Sequence, residues 1–288
     1  MTIVAGFHVN DGILICSDTQ YTGAAKVYQQ KVFPMTVDGD TYVFGLAGHE
    51  PNGKMAIEDC QEAIQDLPAE QRSLKGIKRA LRKAVKPICD EYVLSRPTGD
   101  QDGVAFEIMV GCWIARGGGH KLFSISRNGA VNRLDGYGCI GVGSYLGDYF
   151  IRQIFRRQMT VDTVLLLAAQ TLNAVKSYDQ NCGGPSQLVI IDKNGHHAFL
   201  APESPWILYF LSTYDAIARQ LMFAIADEGL SAPDFDMHLQ QFIKQVGMFR
   251  TESLRQSSLG GSLNPLPTTA YQSPRPPSPE SLEGSDES

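Results

Sequence analysis

"MTIVAGFHVNDGILICSDTQ", residues 1–20, is the stretch on which the fold turns. An alternating run, Ile3 to Val9, meets Asn10-Asp11-Gly12, and a second apolar run follows from Ile13 to Cys16. Two such runs around an Asn-Asp-Gly turn read as a β-hairpin. The first strand is expected to start at residue 2. Chain ends usually fray, and a strand that begins this early instead ties Thr2 to a sheet and to a fixed place.

Working outward, Lys31–Pro34 and Thr41–Ala47 read as further strands, followed by a loop over Gly48–Gly53 and a helix over 54–67. From Ser73, a good N-cap, apolar residues recur at three- and four-residue spacing through Leu74, Ile77, Leu81, Val85, Ile88 and Tyr92. That is one long amphipathic helix, which Pro87 should kink or shorten. Strands are expected near 104–115, 120–126, 131–134 and 139–142, then helices from Ser144 and from Thr160. Strands at 187–193 and 197–200 are joined by Lys193-Asn194-Gly195. Strands in blocks, rather than in strict alternation with helices, predict antiparallel sheets with helices layered outside them. Beyond Ala201, residues 207–226 and 235–247 read as helical. From about Thr251 the chain turns rich in Ser, Pro and Gly and reads as a disordered acidic tail. The division expected is a domain over 1–201, a helical extension over 202–250 and a tail over 251–288.

Composition narrows the function classes. Of 288 residues, 43% are hydrophobic, enough for a sizeable core, and the net charge of -6 argues against nucleic acid as a main partner. The six cysteines form no Cys-x-x-Cys pair, and several sit in apolar runs, so buried free thiols are expected. No basic region precedes the first apolar run, and Trp206–Ile225 is interrupted by Asp215, Arg219 and Gln220. A cytoplasmic protein without a membrane span is the expectation. His196 and His197 are neighbours in a strand and point to opposite faces, so no metal or other cofactor is expected.

The chemistry rests on Thr2. Removal of Met1 ahead of so small a residue would leave a hydroxyl and a free α-amine on one residue, and the amine can act as general base for the hydroxyl. Its pKa of about 7.7–8 suits proton transfer near neutral pH. Met-Thr by itself is common and carries little weight. Its weight comes from six segments that occur in order: "TIVAGFHVNDGILICSDTQYTG", "KVFP", "GLAGHE", "IGVGSYLGDY", "MTVDTVLLLAAQTLNAV" and "YDQNCGGPSQLVII". In these, over about residues 2–200, the chain resembles the proteasome β-subunit family, which includes the HslV peptidases and belongs to the N-terminal-nucleophile hydrolases.

The resemblance implies an α+β fold, a four-layer α-β-β-α sandwich of two antiparallel sheets. It matches Thr2 to the nucleophile, Asp18 to the acid that ends the second strand, and Lys31 to the lysine before the third. The Asp18–Lys31 spacing is a few residues shorter than is typical, which leaves Lys26 as the alternative. Gly48 matches the glycine whose N–H holds the oxyanion, and Ser144 a serine that bonds the nucleophile's amine. Asp179 and Cys182 match an acid and a hydroxyl residue that orient that amine, with a cysteine here in place of the hydroxyl. Thr22 matches a residue that pairs through its backbone with an extended peptide, and Leu46 one that lines the pocket beside the scissile bond. The glycines of "GVGSYLG" lack the GxGxxG spacing, so a dinucleotide site is rejected. The activity implied is that of a threonine peptidase acting on peptides or unfolded protein inside a homo-oligomeric ring, with an ATP-dependent unfoldase as an open partner. A non-catalytic ring subunit and a small-molecule amidase on the same fold remain the alternatives.

Overall fold

The computed structural model describes residues 2–22, 25–116, 119–200 and 205–258; for 197–200, 205–212, 215 and 252–258 only the backbone is described. The opening hairpin is present. Strand β1 (Val4–Val9) pairs antiparallel with β2 (Gly12–Ser17), from Val4 opposite Ser17 to Val9 opposite Gly12. The strand begins at Val4, two residues later than expected, although Asp18 N still donates to Ile3 O at 3.3 Å. Gly12 serves a purpose other than a turn. A Cβ there would lie 2.1 Å from Ile191 O, so the next strand of the sheet can approach only a glycine.

That sheet runs β10-β1-β2-β11-β12, where β10 is Tyr137–Ile140, β11 is Gln187–Asp192 and β12 is Gly195–Leu200. A second five-stranded sheet runs in chain order through β5 (Val32–Val37), β6 (Asp40–Gly48), β7 (Phe106–Ile114), β8 (Gly119–Ile125) and β9 (Val131–Leu134). Every pairing in both sheets is antiparallel. A small ribbon, β3 (Gln20–Thr22) with β4 (Lys26–Tyr28), stands between β2 and β5 and has no counterpart in the sequence reading.

Three apolar cores follow from the two-residue period of the strands. Ile3, Ala5 and Phe7 pack with Leu14, Cys16 and the inner faces of α3 (Ser144–Ile154) and α4 (Val161–Tyr178). Val4, Ile13 and Ile15, the alternate positions, meet Val43, Met109 and Leu122 of the second sheet. The far side of that sheet, with Tyr42, Phe44 and Phe106, packs on α1 (Glu50–Gln65) and α2 (Leu74–Ile88). Both faces of β1 and β2 are therefore buried, which is why they read as almost continuous apolar runs. All six cysteines are free; five are buried and Cys139 half-buried.

Ser73 and Thr160 cap their helices, their hydroxyls accepting from Gly76 N and Thr163 N. Regular α-geometry in α2 ends one residue after Pro87 and passes into a π-helical turn over Cys89–Leu94. Proline has no N–H for the α-helical ladder, and the wider turn accommodates the gap. Helix α1 starts four residues before the expected position. Pro51 and Gly53 look like loop residues, yet proline fits a first helical turn, and a Cβ at Gly53 would strike Leu46 Cδ1 at 2.1 Å. Helices α5 (Pro205–Ala226) and α6 (Ala232–Ser258) follow, α6 running past the 250 boundary expected for the extension. Tyr214 and Phe242 meet between them, their rings tilted at 47° with centroids 6.0 Å apart. The remainder of the expected tail, 259–288, lies outside the described residues. No described helix is long and apolar enough to cross a membrane.

Candidate active site

Three strand ends bring Thr2, Asp18 and Lys31 together. Thr2 lies two residues before β1, Asp18 follows β2, and Lys31 precedes β5. Thr2 Oγ1 donates to Asp18 Oδ1 at 2.7 Å, and the Lys31 ammonium donates to the same oxygen at 3.0 Å. Asp18 and Lys31 are wholly buried, and Thr2 is 1% exposed in a chain that still carries Met1. A buried carboxylate requires full hydrogen bonding. Here Ile3 N adds a bond to Oδ1 at 3.1 Å, while Gln20 N and Gly183 N donate to Oδ2 at 3.1 and 3.0 Å. Lys31 is held as closely. Its N–H donates to Gln187 Oε1, its C=O accepts from Leu46 N, and its ammonium also donates to Gln20 O. The ammonium lies 4.6 Å from the centroid of the Tyr21 ring. Burial lowers the Lys31 pKa, and Asp18 opposes that shift by attraction and hydrogen bonding. Lys26 is elsewhere, exposed on β4 with its ammonium on Gln180 O at 3.2 Å.

The turn before α3 wraps Thr2 from the other side. Gly143 N donates to Thr2 O at 3.1 Å, and Ser144 N donates to Gly141 O. Gly141 has φ of +87°, and a Cβ there would lie 2.4 Å from Thr2 O and 3.0 Å from Ala47 Cβ. The approach is possible only without a side chain. Gly48 follows Ala47 at the end of β6. Its φ is +97°, and an added Cβ would meet Ala105 O at 2.4 Å, so a bare main chain is required there too.

The remaining expected residues stand further off. Among the described contacts, the Asp179 carboxylate accepts from Asn181 N and Nδ2 rather than from Thr2. Cys182 is buried in the core shared with α3 and α4, its sulfur closely backing Gly143. Burial, with Asp18 and Asp179 nearby, pushes its thiol up to about 12. The thiol is therefore neutral at ordinary pH, and the described contacts place it in packing rather than in a hydrogen bond to the nucleophile. Thr22 accepts from Gln20 Nε2 at 3.1 Å. Leu46 is wholly buried against α1, so it lies beneath the surface instead of lining an open wall.

Two neighbours have no role in the sequence reading. The Tyr21 hydroxyl is buried without a hydrogen-bond partner, and burial beside Glu50 and Asp18 raises its pKa. Lys176 of α4 donates to Gly184 O at 2.7 Å and Ser186 Oγ at 2.6 Å, fixing the turn whose Gly183 N meets Asp18. Burial lowers its pKa to about 8. An amphipathic helix with a lysine on its inner edge was the one available signal for it.

Comparisons with known proteins bear on the family and the fold. The family model "Proteasome subunit" matches residues 2–191. A proteasome subunit beta of Methanococcus aeolicus is 24% identical over 198 residues, covering 67% of this chain and 85% of that protein. Among solved structures, the Anbu complex of Pseudomonas aeruginosa, described as a helical assembly, superposes with a TM-score of 0.67 at 15% identity over 81% of this chain and 99% of that one. Anbu from Yersinia bercovieri, described as an ancestral beta-subunit, gives 0.64 at 16% identity over 80% of this chain and 100% of that one. At these identities the structures speak for the fold alone. The family model covers well over half of the residues: the chain belongs to the proteasome subunit family.

Proposed function

We propose that this protein is a threonine-type peptidase whose nucleophile is the Thr2 hydroxyl, freed by removal of Met1. The observation that carries the reading is one buried carboxylate oxygen, Asp18 Oδ1, shared by the Thr2 hydroxyl at 2.7 Å and the Lys31 ammonium at 3.0 Å. A positive charge held there favours the developing alkoxide. The Thr2 α-amine takes the hydroxyl proton as Oγ1 attacks the peptide carbonyl. The amine then returns the proton to the leaving nitrogen as the C–N bond breaks. Water activated by the same amine hydrolyses the acyl ester and restores Thr2. The backbone N–H at Gly48 is read as the donor that would stabilise the tetrahedral oxyanion. Ser144 and Asp179 are read as outer supports of the amine and Thr22 as an edge for an extended peptide, while Leu46 would act only from beneath, by backing the wall of the adjoining pocket. The three apolar cores support a four-layer α-β-β-α sandwich, and the helical assembly of the Pseudomonas aeruginosa Anbu complex supports a self-assembling particle that shelters the site.

A second reading, a non-catalytic subunit of such a particle, is favoured by Cys182, whose thiol packs in a core where the family places a hydroxyl. Intact mass, peptide turnover and native mass separate the two. Loss of one methionine is expected, because Thr2 in the unprocessed chain is too buried to meet substrate. Thr2→Ala should lower turnover by at least ~10³-fold with native mass unchanged, while Thr2→Ser keeps measurable activity. Equal turnover in Thr2→Ala and the parent would end the peptidase reading. Assembly without turnover, in protein that has lost Met1, would establish the second.

A further inference from the structure

The outward face of α2 carries a charge that the site does not use. Between Leu74 and Ile88 the helix has six cations, Lys75, Lys78, Arg79, Arg82, Lys83 and Lys86, and no acidic residue. At 3.6 residues per turn they occupy an arc of roughly 140°. Ile77, Leu81, Val85 and Ile88 fill the opposite side and are buried against the second sheet. All six cations are exposed. Lys86 pairs with Asp90, and the other five have no ion-pair partner among the described residues, although α1 next to them carries exposed Glu58, Asp59 and Glu62. At the N-terminal end of the helix a cavity of about 470 Å³ is lined by Leu74 and Phe123, with Lys75, Lys78 and Arg133 around it.

In a chain of net charge -6, a purely basic face calls for a particular anion. One segment has the complementary pattern. "SPESLEGSDES", residues 278–288, holds Glu280, Glu283, Asp286 and Glu287, no cation, and a single apolar residue, Leu282, between its first two acids. Extended, Glu280 to Glu287 spans about 23 Å. The cationic row from Lys75 to Lys86 spans about 17 Å. From Ser258, where α6 ends, the intervening chain can reach up to about 70 Å before Glu280, enough to arrive at α2 of the same copy or of an adjoining one.

We propose that the basic face of α2 is the docking surface for the acidic segment Glu280–Glu287 of this chain, with Leu282 seated in the cavity beside Leu74. The proposal stands independently of the peptidase reading. Exposed ion pairs are individually weak, so the contact needs several at once and is sensitive to salt.

The test is zero-length carbodiimide coupling of the full-length protein, with sites mapped by mass spectrometry. Links from Glu280, Glu283, Asp286 or Glu287 to Lys75, Lys78 or Lys83 are expected, falling at least 5-fold in 0.5 M salt. They should fall at least 3-fold with Leu282→Ser, a change that leaves every charge in place. Mixing isotopically light and heavy protein tells whether the segment docks on its own copy or another, and either result fits. Links spread evenly over Lys54, Lys121, Lys193 and Lys244 would overturn the proposal. So would lysines of α2 coupled only to Glu58, Asp59 or Glu62 of a second copy, or no links from the segment at all. A heparin column supplies the second arm. The variant with Glu280, Glu283 and Glu287 changed to Gln and Asp286 to Asn should elute at higher salt than the parent and than a variant with four other exposed acids, Glu91, Asp102, Asp135 and Glu228, neutralised in the same way, because only the first uncovers the basic face. Identical elution would count against docking even if folding of another variant failed.

Discussion

Asp18–Lys31 and Lys86–Asp90 are both carboxylate–ammonium pairs, 3.0 and 2.6 Å apart, and the shorter one matters less. Both partners of the first are wholly buried; in the second, 58% of the lysine side chain and 48% of the aspartate are exposed. On the helix surface, water competes for each charge and the pair holds two mobile side chains for little return. At the strand ends neither charge can turn to water. Each depends on the other and on backbone groups supplied by Ile3, Gln20 and Gly183. What separates a structural decoration from a candidate site is thus the environment of the pair and the groups it commits, not its length.

The comparison can be broken most directly at Lys31. Lys31→Met leaves Asp18 as an uncompensated buried charge, and unfolding in urea should show a loss of about 3 kcal/mol, with turnover falling as well. The double variant Lys31→Met with Asp18→Asn removes the stranded charge and should recover part of that stability. A single variant as mild as a surface substitution would mean that Asp18 is not relying on the lysine.

Lys176 sharpens the comparison through pH. Its pKa is lowered from 10.5 to about 8 in the folded protein. Below pH 8 both folded and unfolded chains hold the proton. Between 8 and 10.5 the unfolded chain holds more of it, so this residue's contribution to stability rises with pH and levels off above 10.5. The difference in stability between the parent and Lys176→Met should shift in the parent's favour across that window, by an amount of order 1 kcal/mol. Taking the difference cancels the buried thiols common to both. A difference that stays flat from pH 8 to 10.5 would place Lys176 in water.

The smallest effect belongs to the exposed pair. Lys86→Ala should change stability by no more than about 0.5 kcal/mol, measured by the same urea unfolding. A loss comparable to that of Lys31→Met would contradict the view that burial sets the scale.

The order of most strands and helices was legible in the residues because apolar runs bounded by turn residues mark the longer strands and caps such as Ser73 and Thr160 mark helix starts. The Asn-Asp-Gly turn gave the opening hairpin, and the ordered family segments led to Thr2, Asp18 and Lys31 as matched positions. What the sequence could not supply were contacts between distant residues. Which lysine meets Asp18 depended on the β3–β4 ribbon, whose two three-residue strands are too short to show a period. That ribbon carries Lys26 outward and leaves Lys31 at the buried end of β5. Leu46 and Cys182 could be matched by position, but only the packing of α1 on β6, and of α4 on β1, turned both side chains into cores. Lys176 and the Tyr21 hydroxyl have no local signature, because what sets their environment is burial beside Asp18, with Glu50 for Tyr21 and Cys16 for Lys176, and burial arises only in the packed chain. The sequence by itself pointed to the longer strands, to the caps at Ser73 and Thr160 and to the candidate reactive groups, since these follow from local patterning, side-chain chemistry and the ordered family segments. Tertiary structure alone decided which of those groups are taken out of water together, because desolvation is a property of the packed chain and of no single segment in it.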